Sequence, residues 1–185
     1  MTRSEQTKKL ISKPYFILLI ILVLLFCLDT FVLKPFIKEH YLDQDLQSFK
    51  DFSWRYLLVI AVVIAIVVSI CIKATKILQI ISVCLYSAFF ALWAFRTLLI
   101  QILLFTNFQT EKEHIINTYE VINHKEAMVF WMDGGKGNSI HDDNAIELID
   151  KKRKAKGLKS IFEYKNGDKV KVEFKRGIFN VNYLD

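Results

Sequence analysis

Apolar residues follow two different patterns along this chain, and the change between them falls near residue 106. In the first part, three runs are almost purely apolar: residues 15–33, 56–72 and 77–105. The hydrocarbon core of a bilayer requires about 20 apolar residues in a helix. A domain of this size could not bury three helices that are apolar on every face. The pattern therefore predicts three transmembrane α-helices over these three runs.

From residue 106 onward, apolar and polar residues mostly alternate, which is typical of β-strands with one buried face. Strands are predicted at residues 115–122, 126–132, 158–164, 169–175 and 179–183, and a helix is predicted at residues 144–156. Asn166-Gly167 is a strong signal for a type I′ hairpin between the strands on either side of it. The order ββαβββ predicts a small soluble α+β domain with an antiparallel sheet over residues 106–185.

Two segments lie outside the predicted spans: a basic N-terminal tail, residues 1–14, and a loop, residues 34–55. The first apolar run is too long for a cleaved signal peptide and lacks a small-residue cleavage site, so we expect an uncleaved anchor. In the loop, Leu42, Leu46 and Phe49 recur at helical spacing opposite charged residues. This spacing predicts an amphipathic helix on the membrane surface or against the tail domain, with a helix that fits a partner's groove as the alternative.

The distribution of Lys and Arg predicts the orientation of the spans, because cytoplasmic loops carry an excess of both. The N-terminal tail contains Arg3, Lys8, Lys9 and Lys13, and the short loop at 73–76 contains two lysines. We expect a bacterial multi-pass inner-membrane protein with a cytoplasmic N-terminus and a periplasmic, or otherwise extracytoplasmic, C-terminal domain. In either orientation, three spans would place loop 34–55 and the C-terminal domain on the same side.

The cysteines and histidines give no sign of a metal or redox centre. Cys27, Cys71 and Cys84 all lie inside the apolar runs and form no CxxC pair. The four histidines are scattered without metal-ligand spacing. We therefore expect no metal ion and no cofactor.

The stretch MDGGKGNSIHDD, residues 132–143, resembles a phosphate-binding loop in composition alone. A P-loop requires Ser or Thr after Gly-Lys, but here Lys136 is followed by Gly137. The favoured interpretation is a turn followed by a helix N-terminus, in which Ser139 to Asp142 form a capping box and Asp142, Asp143 or Asn144 is the N-cap. The alternative is an anion-binding turn formed by Gly134, Gly135, Lys136 and Gly137. A metal site at His141, Asp142 and Asp143 is disfavoured, because three adjacent residues cannot easily converge on one ion.

The strongest basic run is KKRKAKGLK, residues 151–159. The favoured interpretation is a solvated helix C-terminus, where basic side chains complement the helix dipole and Gly157 ends the helix. Binding to anionic lipid or nucleic acid is the alternative. We expect no nucleic-acid partner.

The first and third apolar runs each contain a single charged residue, Asp29 and Arg96 respectively. An intramembrane charge is costly unless it is paired or hydrated, so these two residues are predicted to form an intramembrane ion pair. The alternative is that both side chains extend to the membrane interface.

No catalytic motif such as G-x-S-x-G or H-E-x-x-H occurs in the chain. We therefore expect a small non-enzymatic membrane protein that presents an extracytoplasmic binding domain. It would act as an accessory subunit of a membrane complex or as an immunity-type protein. Its partners would be the lipid bilayer and another protein. The alternatives are a membrane-anchored enzyme and a subunit of a transporter or channel.

Overall fold

A computed structural model describes residues 14–72, 76–124, 129–135 and 138–185. The helices are α1 (Pro14–Leu28), α2 (Lys34–His40), α3 (Asp43–Phe52), α4 (Trp54–Cys71), α5 (Ile77–Trp93), α6 (Arg96–Gln109) and α7 (Asp143–Ala155). The strands are β1 (Glu111–His124), β2 (Val129–Asp133), β3 (Lys169–Gly177) and β4 (Asn182–Tyr183). A π-helical turn, Asp29–Leu33, joins α1 to α2, and a short 3₁₀ helix covers Ile161–Glu163.

Two helical stretches of the described chain are each long and apolar enough to cross a membrane. They are Leu19–His40, with a mean hydropathy of 2.3, and Trp54–Cys71, with a mean hydropathy of 2.5. Most of their apolar side chains are exposed on the protein surface. Exposed apolar side chains in such numbers are expected where lipid surrounds a helix.

The third apolar run, predicted as one span over residues 77–105, is instead two helices bent by 68°. The chain leaves helical geometry at Phe95, and Arg96 begins α6. A straight helix over the whole run would be about 43 Å long, whereas the hydrocarbon core is about 30 Å thick. Because of the bend, the run extends less far along any one direction than a straight helix would. The fold is compatible with two to three spans.

Loop 34–55 and the C-terminal domain are in direct contact, as expected if they lie on the same side of a membrane. The Leu184 N–H donates to the His40 carbonyl at 2.8 Å. The predicted amphipathic helix is α3, in which Leu46 and Phe49 are buried, and the Phe49 ring lies 6.2 Å from the ring of Phe179. If α4 crosses the membrane, the bent pair α5–α6 must also return across it, because the domain that follows α6 contacts the loop that precedes α4.

The C-terminal domain is a four-stranded antiparallel sheet in the order β2-β1-β3-β4, with α7 on one face. The predicted alternation in β3 is confirmed: Val170, Val172 and Phe174 are buried, whereas Lys169, Lys171 and Glu173 are exposed. These apolar side chains pack with β1, β2 and α7 in what we call the sheet core. Its members are Leu42, Tyr119, Val121, Met132, Ile140, Ala145, Ile146, Ile149, Ile161, Val170, Val172, Phe174 and Leu184.

The predicted strand at residues 158–164 is wrong. Its backbone bonds to α7 and not to the sheet, because Asp150 Oδ1 accepts hydrogen bonds from the Ile161 N–H and the Ser160 hydroxyl, both at 2.7 Å. These bonds hold Ile161–Glu163 as a 3₁₀ turn, so the element order is ββαββ.

The type I′ hairpin predicted at Asn166-Gly167 is also wrong. Gly167 has a φ of +87°, but Asn166 does not have positive φ, which a type I′ turn requires at both residues. The Gly167 N–H donates to the Val121 carbonyl at 2.8 Å, and the Val121 N–H donates to the Asp168 carbonyl at 2.9 Å. This turn therefore aligns β3 with β1, and the segment before it lies outside the sheet.

The last predicted strand, residues 179–183, is reduced to the two residues of β4. A turn over 177–180 precedes it, with Asn180 at a φ of 59°. Phe179 and Val181 therefore lie outside the sheet. They pack against the helices that lead to the candidate spans.

Candidate functional site at the sheet face and its joint to the membrane helices

A second cluster of buried residues joins the C-terminal domain to the candidate membrane helices and the helices next to them, and we call it the joint. Its members are Ile37, Tyr41, Leu46, Phe49, Leu57, Ile100, Leu104, Val181 and Tyr183. They come from α2, α3, α4, α6 and the C-terminal turn and strand. The joint is therefore built from residues far apart in the sequence.

Asn107, in the last turns of α6, is the polar centre of the joint and is fully buried. Its Nδ2 donates to the Tyr41 hydroxyl at 3.1 Å and to the Val181 carbonyl at 3.0 Å. Its Oδ1 accepts from the Phe179 N–H at 2.9 Å. Tyr41 in turn donates to the Leu104 carbonyl at 2.7 Å. One amide thus ties α6 to α2 and to the last turn of the sheet domain.

Gly177 permits this close approach. A Cβ atom at this position would overlap the carbonyl oxygen and the side-chain amide of Asn107. Because the obstruction includes backbone, a rotamer change of Asn107 would not relieve it. Gly177 is therefore needed for steric reasons, not for an unusual backbone conformation.

Aromatic rings surround the polar centre. Phe108 lies between α2 and β4, with its ring centroid 4.9 Å from that of Phe36, 4.7 Å from that of His40 and 4.8 Å from that of Tyr183. Burial raises the pKa of the Tyr41 hydroxyl well above its usual value, so this group remains a neutral donor. Through these contacts the sheet domain packs directly against α2, α3, α4 and α6.

The face of the sheet opposite α7 is open to solvent. In β1 it carries His114, Ile116, Thr118 and Glu120, all exposed. They pair with residues of β3 in the registers His114↔Lys175, Ile116↔Glu173, Thr118↔Lys171 and Glu120↔Lys169. Ile116 is 55% exposed in the middle of this charged face.

Arg153 closes the outer edge of β3. Its guanidinium donates to the Lys171 carbonyl at 2.7 Å, to the Lys159 carbonyl at 3.3 Å and to the Tyr164 hydroxyl at 3.1 Å. The interpretation of residues 151–159 as fully solvated is therefore wrong for Arg153, which is only 9% exposed. The edge carbonyl that it occupies is not free for pairing with another strand.

Three lysines of the basic run pair with carboxylates, two of them within the domain and one with Glu39 of α2. Lys151 pairs with Glu39 at 2.8 Å, Lys154 with Asp150 at 2.7 Å and Lys156 with Glu173 at 3.4 Å. Gly157, with a φ of +71°, ends the helix as predicted. The Leu158 N–H donates to the Arg153 carbonyl and the Gly157 N–H to the Lys154 carbonyl, both at 3.0 Å, which is the Schellman pattern.

In the glycine-rich stretch, an internal carboxylate occupies a position that a bound anion would need. Asp133 Oδ1 accepts from the Gly135 N–H at 2.8 Å and from the Ser139 hydroxyl at 2.9 Å. These bonds lower the pKa of Asp133. Lys136 and Gly137 lie outside the described residues, so anion binding by Gly134, Gly135, Lys136 and Gly137 stays a prediction.

The N-terminus of α7 follows this stretch, and Asp142 is its N-cap. The Asp142 side chain accepts from the Asn144 N–H at 3.3 Å. The predicted capping box is wrong, because Ser139 bonds to Asp133 and not to the helix.

Asp29 and Arg96 are placed at two different breaks in helical geometry. Asp29 opens the π-helical turn, and its Oδ1 is buried without a hydrogen-bond partner among the described residues. Arg96 is exposed at the first residue of α6. Ion pairs within 4.0 Å in the described chain do not include one between these residues. Their pairing stays a prediction.

Sequence reasoning missed the roles of Asn107 and Gly177 at the joint and of Arg153 at the edge of β3. The only sequence signal for Asn107 is that it is a polar residue just after the third apolar run, where the soluble domain is predicted to begin. Among the described residues, no cluster of three or more His, Cys, Asp or Glu could hold a metal ion. Comparisons with protein-family models, curated proteins and solved structures find no match to this chain.

Proposed function

We propose that this chain is an integral membrane protein of the binding class, which holds its sheet domain at the membrane surface for a protein partner. It would be an accessory subunit of a membrane complex or an immunity-type protein. The observation that carries the proposal is the joint centred on Asn107, which couples an open sheet face to the membrane helices through three hydrogen bonds.

A fixed orientation favours binding to a partner that lies in, or close to, the same membrane. A domain on a flexible tether must lose rotational freedom when it binds, whereas a domain already held in its bound orientation loses less. The open face that carries Ile116 is the surface that this orientation would present to such a partner.

We also propose the orientation predicted from the basic residues, with the N-terminus in the cytoplasm and the sheet domain on the extracytoplasmic side. The four basic residues before residue 14 and the lysines at 73–76 support it. A reporter that works only in the periplasm should be active when it is fused after Asp185. A reporter that works only in the cytoplasm should be inactive at the same position. The reverse result would contradict the orientation but not the binding function.

Site-specific photo-cross-linking in intact cells tests the binding function directly. A photoreactive residue at Ile116, in the open face, should give one defined cross-linked protein. The same residue at Glu147, which is exposed on α7, is the matched control and should give none. No cross-link at Ile116, together with substrate turnover by the purified chain alone, would contradict the proposal and support a membrane-anchored enzyme.

A further inference from the structure

A cavity of about 470 Å³ lies between α2, α3 and α6, at the end of the first candidate span. Four basic residues line it: Lys34, Lys38, Lys50 and Arg96. Asp43 has the only carboxylate among the described residues of the lining, so these residues have a net positive charge. Ile37, Leu46, Ile100 and Leu104 contribute apolar side chains, and Thr97 and Gln101 complete the lining.

None of the four cations of this cavity forms an ion pair within 4.0 Å with a described residue, Asp43 included. This differs from the basic run on α7, where Lys151, Lys154 and Lys156 are paired with carboxylates. All four residues are exposed, so their charges are accessible to an anion that approaches from outside the protein.

Gln101 provides a second and independent sign of a ligand. It lines the cavity from α6, is only 8% exposed, and its Oε1 has no hydrogen-bond partner among the described residues. Buried polar groups without partners are rare, because nothing compensates for their loss of hydration. A bound polar group that donates a hydrogen bond, such as a lipid hydroxyl, would satisfy this atom.

The geometry points to a binding site for an anionic phospholipid of the phosphatidylglycerol class. Its phosphate would lie among Lys34, Lys38, Lys50 and Arg96, and a glycerol hydroxyl would donate to Gln101. The start of its acyl chains would contact the apolar wall. A free phosphate ion would satisfy the cations but would leave that wall without a contact, which is why the lipid is favoured over the ion.

Native mass spectrometry of the delipidated full chain in detergent tests this site. Short-chain phosphatidylglycerol should bind with a defined stoichiometry, and short-chain phosphatidylcholine should bind much more weakly. Each basic residue near a membrane surface contributes to the free energy of binding an anionic lipid. Arg96→Gln and Lys38→Gln should therefore each weaken the binding of phosphatidylglycerol about fivefold. Arg55→Gln is the matched control, since Arg55 is an exposed cation at the start of α4 that does not line the cavity.

One variant should have the opposite effect, which misfolding cannot imitate. Asp43→Asn removes the only carboxylate of the lining and should tighten binding of phosphatidylglycerol about fivefold. Equal binding of phosphatidylcholine, or equal losses in Arg55→Gln and Arg96→Gln, would overturn the site in favour of general surface charge. Competition by inorganic phosphate at the same concentration as the lipid would show that the site takes a free anion, and would overturn the lipid assignment.

Discussion

The sheet core and the joint are both well packed, but different interactions stabilise them. The sheet core consists almost entirely of apolar side chains, which three strands, a helix and their connections bring together. The joint combines apolar and aromatic side chains with the buried amide of Asn107, and every polar atom of that amide is hydrogen bonded. The sheet core is specified by a pattern of residue types, whereas the joint depends on individual residues at individual positions.

This difference determines how each region responds to substitution. Loss of an apolar side chain from a core costs its transfer free energy and leaves a cavity, and neighbouring side chains relax partly into it. Loss of a buried amide leaves its partners without hydrogen bonds, and relaxation cannot replace them. The joint should therefore be the more sensitive region to a change of a few atoms.

The largest effect is expected for Asn107→Ala. This change would remove three hydrogen bonds, at a combined cost of about 3 kcal/mol. It would leave the Phe179 N–H without its partner, and the Val181 carbonyl with only the Gly177 N–H at 3.4 Å. Amide hydrogen exchange of the full chain should show faster exchange over residues 177–184, while residues 170–174 in the sheet core stay protected.

Asn144→Ala is the matched control for this prediction. Asn144 is an exposed asparagine at the start of α7, and its loss should change stability by less than about 0.5 kcal/mol. Equal acceleration of exchange in both regions of the Asn107 variant would show that the sheet core and the joint unfold as one unit, and would remove the distinction between them.

The next largest effect concerns pH and Asp45, which lies on α3 beside the C-terminal strands. Burial raises the pKa of Asp45 to about 6, although the charge of Arg176 and a hydrogen bond from Asn182 act in the opposite direction. In the unfolded chain the pKa is near 3.8. Between these values the folded state binds more protons than the unfolded state, so stability falls as the pH rises.

The interval between pKa 3.8 and about 6 corresponds to about 3 kcal/mol. We expect about 2 kcal/mol, because the side chain retains partial exposure. Asp45→Asn should abolish this pH dependence and should make the protein more stable than the wild type at pH 7.5. Asp51→Asn, at an exposed position of the same helix, is the control, and thermal unfolding in detergent from pH 4 to pH 7.5 is the measurement. A flat wild-type profile over this range would contradict the prediction.

The same contrast explains which parts of the fold the sequence could predict. Alternation in Lys169–Lys175 and helical spacing in residues 144–156 are local patterns, and both elements formed close to their predicted positions. The segment 158–164 also has an apolar pattern, yet Asp150 and Arg153 bind its backbone and prevent it from joining the sheet. That outcome depends on side chains about ten residues away in the chain. The periodicity of the segment itself contains no information about them.

The joint was even less accessible to prediction. Asn107 is separated from its partners by 66 to 74 residues in the chain, so no local spacing relates them. The open sheet face could be inferred from the polar positions of β1 and β3, but its orientation relative to the membrane could not. No proline or glycine lies at the bend at Phe95, so the sequence does not indicate that the helix bends there.

A smaller effect is expected within the sheet domain for Asp142→Ala. Loss of the N-cap of α7 should cost about 1 kcal/mol and should act locally on the first turn of that helix. Ser139→Ala is the comparison, because the capping box predicted from the sequence would make the two losses similar. The structure instead places the Ser139 hydroxyl on Asp133, so the protection of α7 amides should fall in the Asp142 variant alone.

The smallest effect on stability is expected for the coupling energy between Asp29 and Arg96. The sequence predicts that these charges are partners, and each should then matter only when the other is present. In the structure Arg96 lines the basic cavity with Lys34 and Lys38, and no ion pair within 4.0 Å joins it to Asp29. A double-mutant cycle of thermal stability with Asp29→Asn and Arg96→Gln should therefore give additive losses within about 0.5 kcal/mol. Phosphatidylglycerol binding measured on the same variants should fall with Arg96→Gln and remain with Asp29→Asn. If the double variant is more stable than either single variant, the two charges are partners in the membrane and Arg96 is not free to bind the lipid phosphate.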